Sequence, residues 1–473
     1  MPTNTRSLSR RRLLKNGAAA AAGGAALWSA APAAAQPGRA PAVVTARRFK
    51  AWIARGEGTT RTKLEEVTLK PIGGRQVVVR TEATNLCYSN VPPVLGIQTA
   101  PAPAATSAAA QASALAAPNG ARRMNDMAVI QGHGGIGIVE AVGPEVRRVQ
   151  VGDRVCVSGT PHCGACYRCL RGRSDMCQFL SAIGADDLVA IAEMRDGTPV
   201  YENSHIGGLA ELMVTFEEWV VPIFTKASAT DVGMACSCVA VAGLGATASP
   251  GLAMVEPASI VAVLGCGPLG LSAVQGARIA GASTIIAIDP IKARRDVALK
   301  VGATHVLDPN VEGDRLVARV RAMATWPTDR LWSGGRNPAG RRPGAGADFV
   351  IEAVGLDHVK PKLESGPDPT GILPMQQGYQ ICALGGHYIT TGLPRGNITL
   401  PGSLFAIGGV SHHGGQAGGA SPMRDIPRFV ELMEKGQFLT APLATTVVPL
   451  EGMLEAYEQV AYRTTVTALM LGA

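Results

Sequence analysis

The sequence predicts an α/β protein in which a doubly wound parallel sheet is joined to a second, β-rich domain. Residues 260–264 (IVAVL) are continuously apolar, as expected for a strand covered on both faces. From about 240 to 400 the chain also alternates strand-like and helical stretches. Further strands of this sheet are expected at 284–288, 305–307, 348–351 and 387–391. The β-rich domain is predicted by earlier strand-like segments at 63–69, 76–81 and 138–142.

The composition is that of a large folded protein. The chain has 473 residues, of which 47% are hydrophobic and 17% charged, enough for two or three domains. The net charge of +8 owes much to the N-terminal segment and to residues 330–342, and no basic stripe is interleaved with aromatic residues. Nucleic acid is therefore not expected as a partner. Beyond the N-terminus, no apolar run is long and uninterrupted enough to span a bilayer.

Residues 1–35 are interpreted as a targeting segment. Residues 9–15 (SRRRLLK) resemble the twin-arginine export signal, and a weakly hydrophobic Ala/Gly run follows at 17–27. Residues 33–35 are three alanines, which offer a cleavage site. The sequence thus predicts export to the periplasm or out of the cell. The alternative is an uncleaved membrane anchor or a disordered basic tail.

A dinucleotide-binding fingerprint follows the apolar strand. The stretch GCGPLG runs from Gly265 to Gly270, and a predicted helix follows it. Gly265 would permit a tight turn, Gly267 would let the backbone approach a pyrophosphate, and Gly270 would allow close packing of helix on sheet. The predicted domain is therefore a Rossmann domain. The alternative is a glycine-rich turn without a ligand.

The acidic residue of the fingerprint favours NAD. Asp289 ends the next predicted strand, 19 residues after Gly270. Its carboxylate would accept hydrogen bonds from the adenine ribose and would repel a 2′-phosphate. NADP stays open because basic residues follow at Lys292, Arg294 and Arg295.

Four closely spaced cysteines predict a structural zinc site. They have spacings x2, x2 and x7, and are Cys163, Cys166, Cys169 and Cys177. Four thiolates this close in sequence can enclose one Zn²⁺, and the surrounding loop has too few apolar residues to form a core of its own. The alternative is a pair of disulfides in an exported protein. A histidine-containing stretch at 411–415 is interpreted as a flexible glycine-rich loop rather than a metal site.

This cysteine spacing resembles the structural zinc lobe of the zinc-dependent alcohol dehydrogenases, in the medium-chain dehydrogenase/reductase family. The resemblance extends from about residue 42 to 473, apart from predicted insertions at 99–120, 327–346 and 361–378. It implies a GroES-like catalytic domain formed by 42–239 and 401–473, and an NAD-binding domain at 240–400. The active site is then expected in the cleft between the two domains.

The resemblance also implies a catalytic zinc, which makes two zinc ions per chain. Its expected ligands are Cys87 in LCYSN, His133 in GHGGIG, and Cys238, five residues before GLGA. Cys236 is a rival third ligand, and Ser89 matches the hydroxyl that passes the proton out of the site. The implied activity is hydride transfer between NAD and a small alcohol, aldehyde or ketone, in a homo-oligomer.

Four positions depart from the family's pattern, and they leave other functions open. Tyr88, Asn90, Pro92 and Gly134 stand where members of the family commonly carry His, Asp, His and Glu. These changes put the proton path and the second shell of the zinc in question. The alternatives are an exported protein with permanently bound NAD, in which a second substrate re-oxidises the nucleotide, and a catalytically silent protein that binds zinc and nucleotide.

Overall fold

The structure is a computed structural model that describes most of the chain after the predicted targeting segment. The described ranges are 46–55, 61–97, 127–179, 189–324, 346–400 and 402–472, without the side chains of 403–405. The predicted targeting segment, the predicted insertion at 99–120 and all but the last residue of that at 327–346 lie outside the described residues.

Within these ranges the chain forms strands along most of its length. In chain order they are β1 (Arg48–Ala54), β2 (Lys63–Leu69), β3 (Gln76–Asn85), β4 (Ala128–Ile130), β5 (Gly135–Val142), β6 (Arg154–Val157), β7 (Ala192–Met194), β8 (Pro199–Glu202), β9 (Leu212–Phe216), β10 (Val220–Pro222), β11 (Ile260–Leu264), β12 (Thr284–Ile288), β13 (His305–Leu307), β14 (Ala347–Glu352), β15 (Cys382–Thr390), β16 (Ser411–Gly414), β17 (Ala444–Pro449) and β18 (Thr467–Leu471).

The helices of the described ranges fall mainly in the second half of the chain. They are α1 (Val91–Leu95), α2 (Tyr167–Leu170), α3 (Ala229–Ala235), α4 (Cys238–Ala248), α5 (Pro268–Ile279), α6 (Lys292–Val301), α7 (Pro309–Glu312), α8 (Leu316–Met323), α9 (Ile372–Ile381), α10 (Gly402–Ile407), α11 (Pro422–Glu434) and α12 (Met453–Ala461). None of them alone has the length and apolarity to cross a membrane, although the bent pair α3 and α4 together meets that test by length and composition only.

The β-rich half contains a closed barrel and a second sheet. The barrel has the strand order β1-β2-β7-β8-β4. The second sheet has the order β10-β6-β5-β3-β18-β17, with β9 also paired to β3. Closure of the barrel leaves no strand edge exposed there. The last two strands of the chain, β17 and β18, thus return to the half of the protein in which the chain began.

The second half contains a six-stranded parallel sheet with the order β13-β12-β11-β14-β15-β16. Val261 and Val263 of β11 face one apolar core, while Ile260, Ala262 and Leu264 face another. Successive side chains of a strand point to opposite faces, so a strand buried on both faces must be apolar throughout. The predicted fold class, a Rossmann sheet joined to a GroES-like β domain, is confirmed.

One sequence prediction about the edge of this sheet is wrong. The stretch at 411–415 was expected to be a flexible loop, but 411–414 forms β16, which pairs in parallel with β15. The sheet therefore continues beyond residue 400, where the nucleotide domain was expected to end. The predicted insertion at 361–378 overlaps α9, which packs against the sheet through Met375 and Tyr379.

A buried carboxylate anchors helix α11. Asp425 is inaccessible to solvent and accepts hydrogen bonds from the Ser421 backbone N–H at 2.8 Å, the Ser249 hydroxyl at 2.8 Å and the Arg424 guanidinium at 2.7 Å. Burial opposes ionisation, but these hydrogen bonds lower the pKa of Asp425 overall. Asp425 thereby joins α11 to the end of α4.

We expect Asp425→Asn to destabilise the protein by about 2–3 kcal/mol at pH 7, because charge-assisted hydrogen bonds are lost in a buried site. A carboxyl whose pKa is lowered by folding stabilises the protein fully when the pH is above its pKa in the unfolded chain, about 3.9. This stabilisation is lost as the pH falls through the pKa of the carboxyl in the folded protein. The difference between wild type and variant in urea denaturation midpoints should therefore shrink below about pH 4. Asp296→Asn, which breaks an exposed pair with Lys292, is the control and should change the midpoint little.

Candidate active site

Strand β3 delivers the first candidate zinc ligand. The strand ends at Asn85, and Cys87 immediately precedes a single 3-10 turn, Tyr88–Asn90. The Ser89 hydroxyl, exposed to solvent, donates a hydrogen bond to Cys87 Sγ at 3.3 Å. A thiol and a hydroxyl two residues apart are thus placed together by one turn of chain.

The structure brings Cys87, His133 and Cys238 together. Their ligand atoms all lie within 4.8 Å of one another. His133 comes from the loop after β4, which is held by the Leu209 N–H donating to the Gln131 carbonyl at 2.9 Å. Cys238 is the first residue of α4. Two thiols and one imidazole match the three-ligand set of a catalytic zinc site that keeps one position open.

The rival ligand Cys236 does not join this group. It is buried in the apolar core, where its backbone carbonyl accepts a weak hydrogen bond from Cys156 Sγ at 3.8 Å. Of the two cysteines left open by the sequence, the structure places Cys238 with Cys87 and His133.

These three side chains shift one another's pKa values. The hydrogen bond from Cys238 and the charge of His133 hold the pKa of Cys87 well below its usual value, while the same hydrogen bond raises the pKa of Cys238. Burial alone would lower the pKa of His133, but Cys87 raises it overall. A metal would replace the protons of these groups, because thiolate and neutral imidazole are the forms that coordinate.

Asn85 supports this group and was not singled out from the sequence. Its side-chain oxygen accepts a hydrogen bond from Cys238 Sγ at 3.5 Å, and its amide donates to the Thr467 hydroxyl at 3.0 Å. Asn85 is buried, and it contacts the Cys238 thiol from β3 while it is itself held by β18. A polar residue at the end of the strand, two residues before Cys87, was the available signal.

The four cysteines of the predicted structural zinc lobe also converge. Their Sγ atoms all lie within 4.8 Å of one another, and the pairs Cys163–Cys169 and Cys166–Cys177 are each 4.0 Å apart. A tetrahedron of sulfurs 2.3 Å from zinc has edges of about 3.8 Å, so these distances suit a zinc site. All ten cysteines of the chain are free in the structure, which contains neither disulfide of the alternative interpretation.

Backbone amides favour ionisation of one cysteine of this lobe, Cys166, while burial raises the pKa of Cys169 and of Cys177. Burial opposes ionisation, but the N–H groups of Cys169 and Gln178 lower the pKa of Cys166 to about 6. The lobe is also tied to the nucleotide domain, because Arg173 forms an ion pair with the buried Asp175 and donates to the Gly414 carbonyl at the end of β16.

The predicted fingerprint forms a tight turn between β11 and α5. Gly265 has φ of +88°, which favours glycine, and a Cβ on Gly270 would lie 1.7 Å from the Gly265 carbonyl oxygen. Asp289 is buried, and its carboxylate accepts hydrogen bonds from the N–H of Cys266 at 2.7 Å and of Ile291 at 2.8 Å. Asp289 therefore holds the glycine turn in place in addition to lining the pocket beside it.

The glycine turn opens onto a pocket of about 760 Å³. Gly267, the N-cap of α5 with no side chain of its own, lies at one wall. The pocket also receives two guanidinium groups, one from Arg294 in α6 and one from Arg463 near the C-terminus. Unpaired N–H groups at a helix start favour an anion, so the pocket suits a dinucleotide.

Comparison with known proteins matches both halves of the chain. The family described as alcohol dehydrogenase GroES-like domain matches residues 73–225. The family described as zinc-binding dehydrogenase matches residues 268–365. The chain belongs to the zinc-dependent medium-chain dehydrogenase/reductase family.

Relatives of this dehydrogenase are named alcohol dehydrogenases. Alcohol dehydrogenase B of Mycobacterium tuberculosis (strain ATCC 25618 / H37Rv) is 29% identical over 340 residues, covering 70% of this chain and 80% of the relative. NDMA-dependent alcohol dehydrogenase of Amycolatopsis methanolica is 28% identical over 341 residues, with the same coverage. The solved structure of an alcohol dehydrogenase zinc-binding domain protein from Burkholderia ambifaria has a TM-score of 0.70 at 26% identity, covering 90% of this chain and 99% of the other. The protein is thus an oxidoreductase similar to alcohol dehydrogenases.

The departures of this dehydrogenase from the family's pattern have visible consequences. Pro92 is buried in α1. Asn90 is buried with its side-chain oxygen unpaired among the described residues. The Tyr88 hydroxyl accepts hydrogen bonds from the backbone N–H of His358 at 2.9 Å and of Val359 at 3.4 Å. The residue after the first candidate ligand thus connects the catalytic half to the nucleotide half.

We expect wild-type protein to contain two zinc ions per chain and Cys238→Ala protein to contain one, because only the candidate catalytic site loses a thiolate. Cys236→Ala is the matched control and should keep two, since its sulfur lies in the core. Elemental analysis of the purified proteins measures both. Two zinc ions in the Cys238→Ala variant, or one in the Cys236→Ala variant, would reverse the assignment of the third ligand.

Proposed function

We propose that this protein is a zinc- and NAD-dependent alcohol dehydrogenase that interconverts an alcohol with an aldehyde or ketone. The observation that carries the proposal is the convergence of Cys87, His133 and Cys238 in a protein with a dinucleotide pocket. The printed names of the relatives support the same class of reaction.

The donor set suits zinc, and the chain's own residues supply the proton path. Zinc, when bound, supplies a Lewis acid that lowers the pKa of a hydroxyl, and the dinucleotide supplies a hydride acceptor. The Ser89 hydroxyl is exposed and lies against Cys87, so it can take a proton from a substrate hydroxyl and pass it to solvent. Pro92 has no proton to give, so Ser89 is the last side chain of this path before solvent.

We propose NAD rather than NADP as the nucleotide. Asp289 places a carboxylate at the pocket, and this carboxylate would repel the negative charge of a 2′-phosphate. Two of the three nearby basic residues are engaged elsewhere: Lys292 pairs with Asp296 at 2.7 Å, and Arg295 pairs with Asp308 at 3.0 Å. Both are already paired with carboxylates.

A second candidate function is an alcohol dehydrogenase that retains its nucleotide through the catalytic cycle. The observation that favours it is the set of contacts across the two halves beside the pocket. Besides the Tyr88 hydrogen bonds, the Lys362 N–H donates to the Tyr462 carbonyl at 3.0 Å. We infer that these contacts hinder release of a bound nucleotide. One relative is named as NDMA-dependent, which indicates that its reaction needs a further compound.

We expect purified wild-type protein to oxidise members of a panel of small alcohols, while Cys87→Ala and His133→Ala proteins lose turnover and keep their fold. The physical reason is that each variant removes one of three donors. Absorbance of reduced nicotinamide measures turnover, and circular dichroism checks the fold. Near-normal activity in either variant would refute the assignment of the catalytic site.

A second experiment separates the two candidate functions. Wild-type protein is purified without added cofactor and denatured, and any released nucleotide is identified. Bound NAD favours retention through the catalytic cycle, and its absence favours free exchange.

We also propose export through the twin-arginine pathway, supported by SRRRLLK at residues 9–15 and the alanines at 33–35. Replacing Arg10 and Arg11 together by Lys should keep the protein in the cytoplasm, because the paired guanidinium groups are the signal, whereas Lys15→Arg should be exported normally. Cell fractionation and immunoblotting measure this. Equal export of the double variant would refute the proposal.

A further inference from the structure

Strand β16 contains two consecutive histidines that the proposed dehydrogenase activity does not use. The strand runs from Ser411 to Gly414 and pairs with β15 at the edge of the sheet. Three of its four residues are exposed, and the fourth, His413, is half-buried. Burial of apolar surface therefore contributes little to holding this strand in place.

The two histidines lie on opposite faces of the sheet, as successive side chains of a strand do. His412 stacks on the ring of Tyr388, with centroids 5.3 Å apart, and its Nε2 lies 3.0 Å from the Thr390 hydroxyl. On the other face, Nε2 of His413 lies 3.0 Å from Nδ1 of His387 in β15. The strands β15 and β16 thus each contribute one imidazole to a pair, and His412 is not part of it.

The two paired nitrogens have nearly the separation that one metal ion requires. The ring centroids of His387 and His413 are 5.2 Å apart, and the ring planes are inclined by 36°. Two nitrogens bound to one tetrahedral zinc lie about 3.3 Å apart, because each Zn–N distance is about 2.0–2.1 Å. The nitrogens, now 3.0 Å apart, would therefore have to separate by only about 0.3 Å.

The surroundings favour the form of His413 that binds metals. Its pKa is lowered chiefly by burial and further by three neighbouring side chains, His387, His412 and Arg173. Neutral imidazole, the form that coordinates, is therefore favoured at neutral pH. One of the two facing nitrogens carries the hydrogen of the bond between the rings. A metal ion can take its place when that ring carries its hydrogen on the other nitrogen, so binding releases no net proton.

Nearby carboxylates can balance the charge of a cation. Arg173, which acts on His413, is itself paired with Asp175 at 2.8 Å. His387 lines a pocket of about 740 Å³ together with Glu256 and Asp348. Within the described ranges, no third His, Cys, Asp or Glu side chain completes a close group with the two imidazoles. Water would therefore supply the remaining ligands.

We propose that His387 and His413 bind a metal ion of the zinc and copper class, which imidazole prefers, in addition to those of the two cysteine-containing sites. The ion would join β15 to β16 and so stabilise an edge strand that buries little apolar surface. It would also stabilise the contact of β16 with the zinc lobe, where Arg173 donates to the Gly414 carbonyl at 3.3 Å. Neither histidine belongs to the candidate catalytic group or lines the dinucleotide pocket, so the proposal does not depend on the proposed function.

Calorimetric titration with Zn²⁺ tests this proposal, on protein whose two cysteine-containing sites have first been filled with zinc. We expect wild-type protein to bind one further equivalent, and His387→Ala and His413→Ala proteins to lose it, because each variant removes one of two ligands. His412→Ala is the matched control: it removes an imidazole from the same strand but the opposite face, and should keep the further equivalent. Circular dichroism checks the fold of all three variants.

Hydrogen exchange provides a second measurement, which a change in the fold alone would not reproduce. In wild-type protein, added Zn²⁺ should slow exchange of the backbone amides of β16, because an ion bound to both strands opposes local opening. In His413→Ala protein the same addition should leave the exchange of this segment unchanged. Mass spectrometry of peptides that span 411–414 measures both.

Three outcomes would contradict the proposal. Wild-type protein that binds no further equivalent has no such site. A further equivalent retained by His387→Ala or by His413→Ala protein would indicate an adventitious ion only, bound elsewhere. Equal loss in His412→Ala protein would show that binding does not depend on the pair. Protein that binds the further Zn²⁺ but oxidises no alcohol would instead refute the proposed function and leave the metal site supported.

Discussion

The fixed position of strand β3 is the constraint on which the candidate active site depends. β3 pairs with β9 over its first half, with β5 along most of its length and with β18 at its C-terminal end, so the strand cannot shift without breaking hydrogen bonds to its neighbours. That end supplies Asn85 to Cys238, places Cys87 beside His133, and directs Tyr88 towards the nucleotide half. One strand therefore positions the candidate metal site and a contact across the cleft at the same time.

Burial of charge explains several features of the nucleotide half. Asp289 is buried because two backbone N–H groups of the surrounding turns satisfy it. Arg294 and Arg463 are incompletely satisfied, and a buried donor without a partner destabilises the ligand-free protein. A pocket that leaves such donors unpaired is suited to a ligand that carries the complementary negative charge.

The sequence predicted the centre of the sheet better than its edge. Strand β11 matched its predicted bounds because an unbroken apolar run has few alternatives to a buried strand. The edge strand β16, SHHG, has no such pattern, since pairing with β15 stabilises it rather than burial of its own side chains. The predicted insertion at 361–378 overlaps helix α9, whose Met375 and Tyr379 pack on the sheet.

The sequence by itself determined the features that depend on short spacings: the four cysteines of the zinc lobe, the glycine turn and the strand before it. Each of these features involves residues that are close in the chain, so their spacing in the sequence largely defines their geometry. Only the tertiary structure decided that Cys238 rather than Cys236 joins Cys87 and His133, that Asn85 supports Cys238, and that His413 pairs with His387. These groups meet because strands and helices distant in sequence pack together, and no local pattern records which side chains face one another.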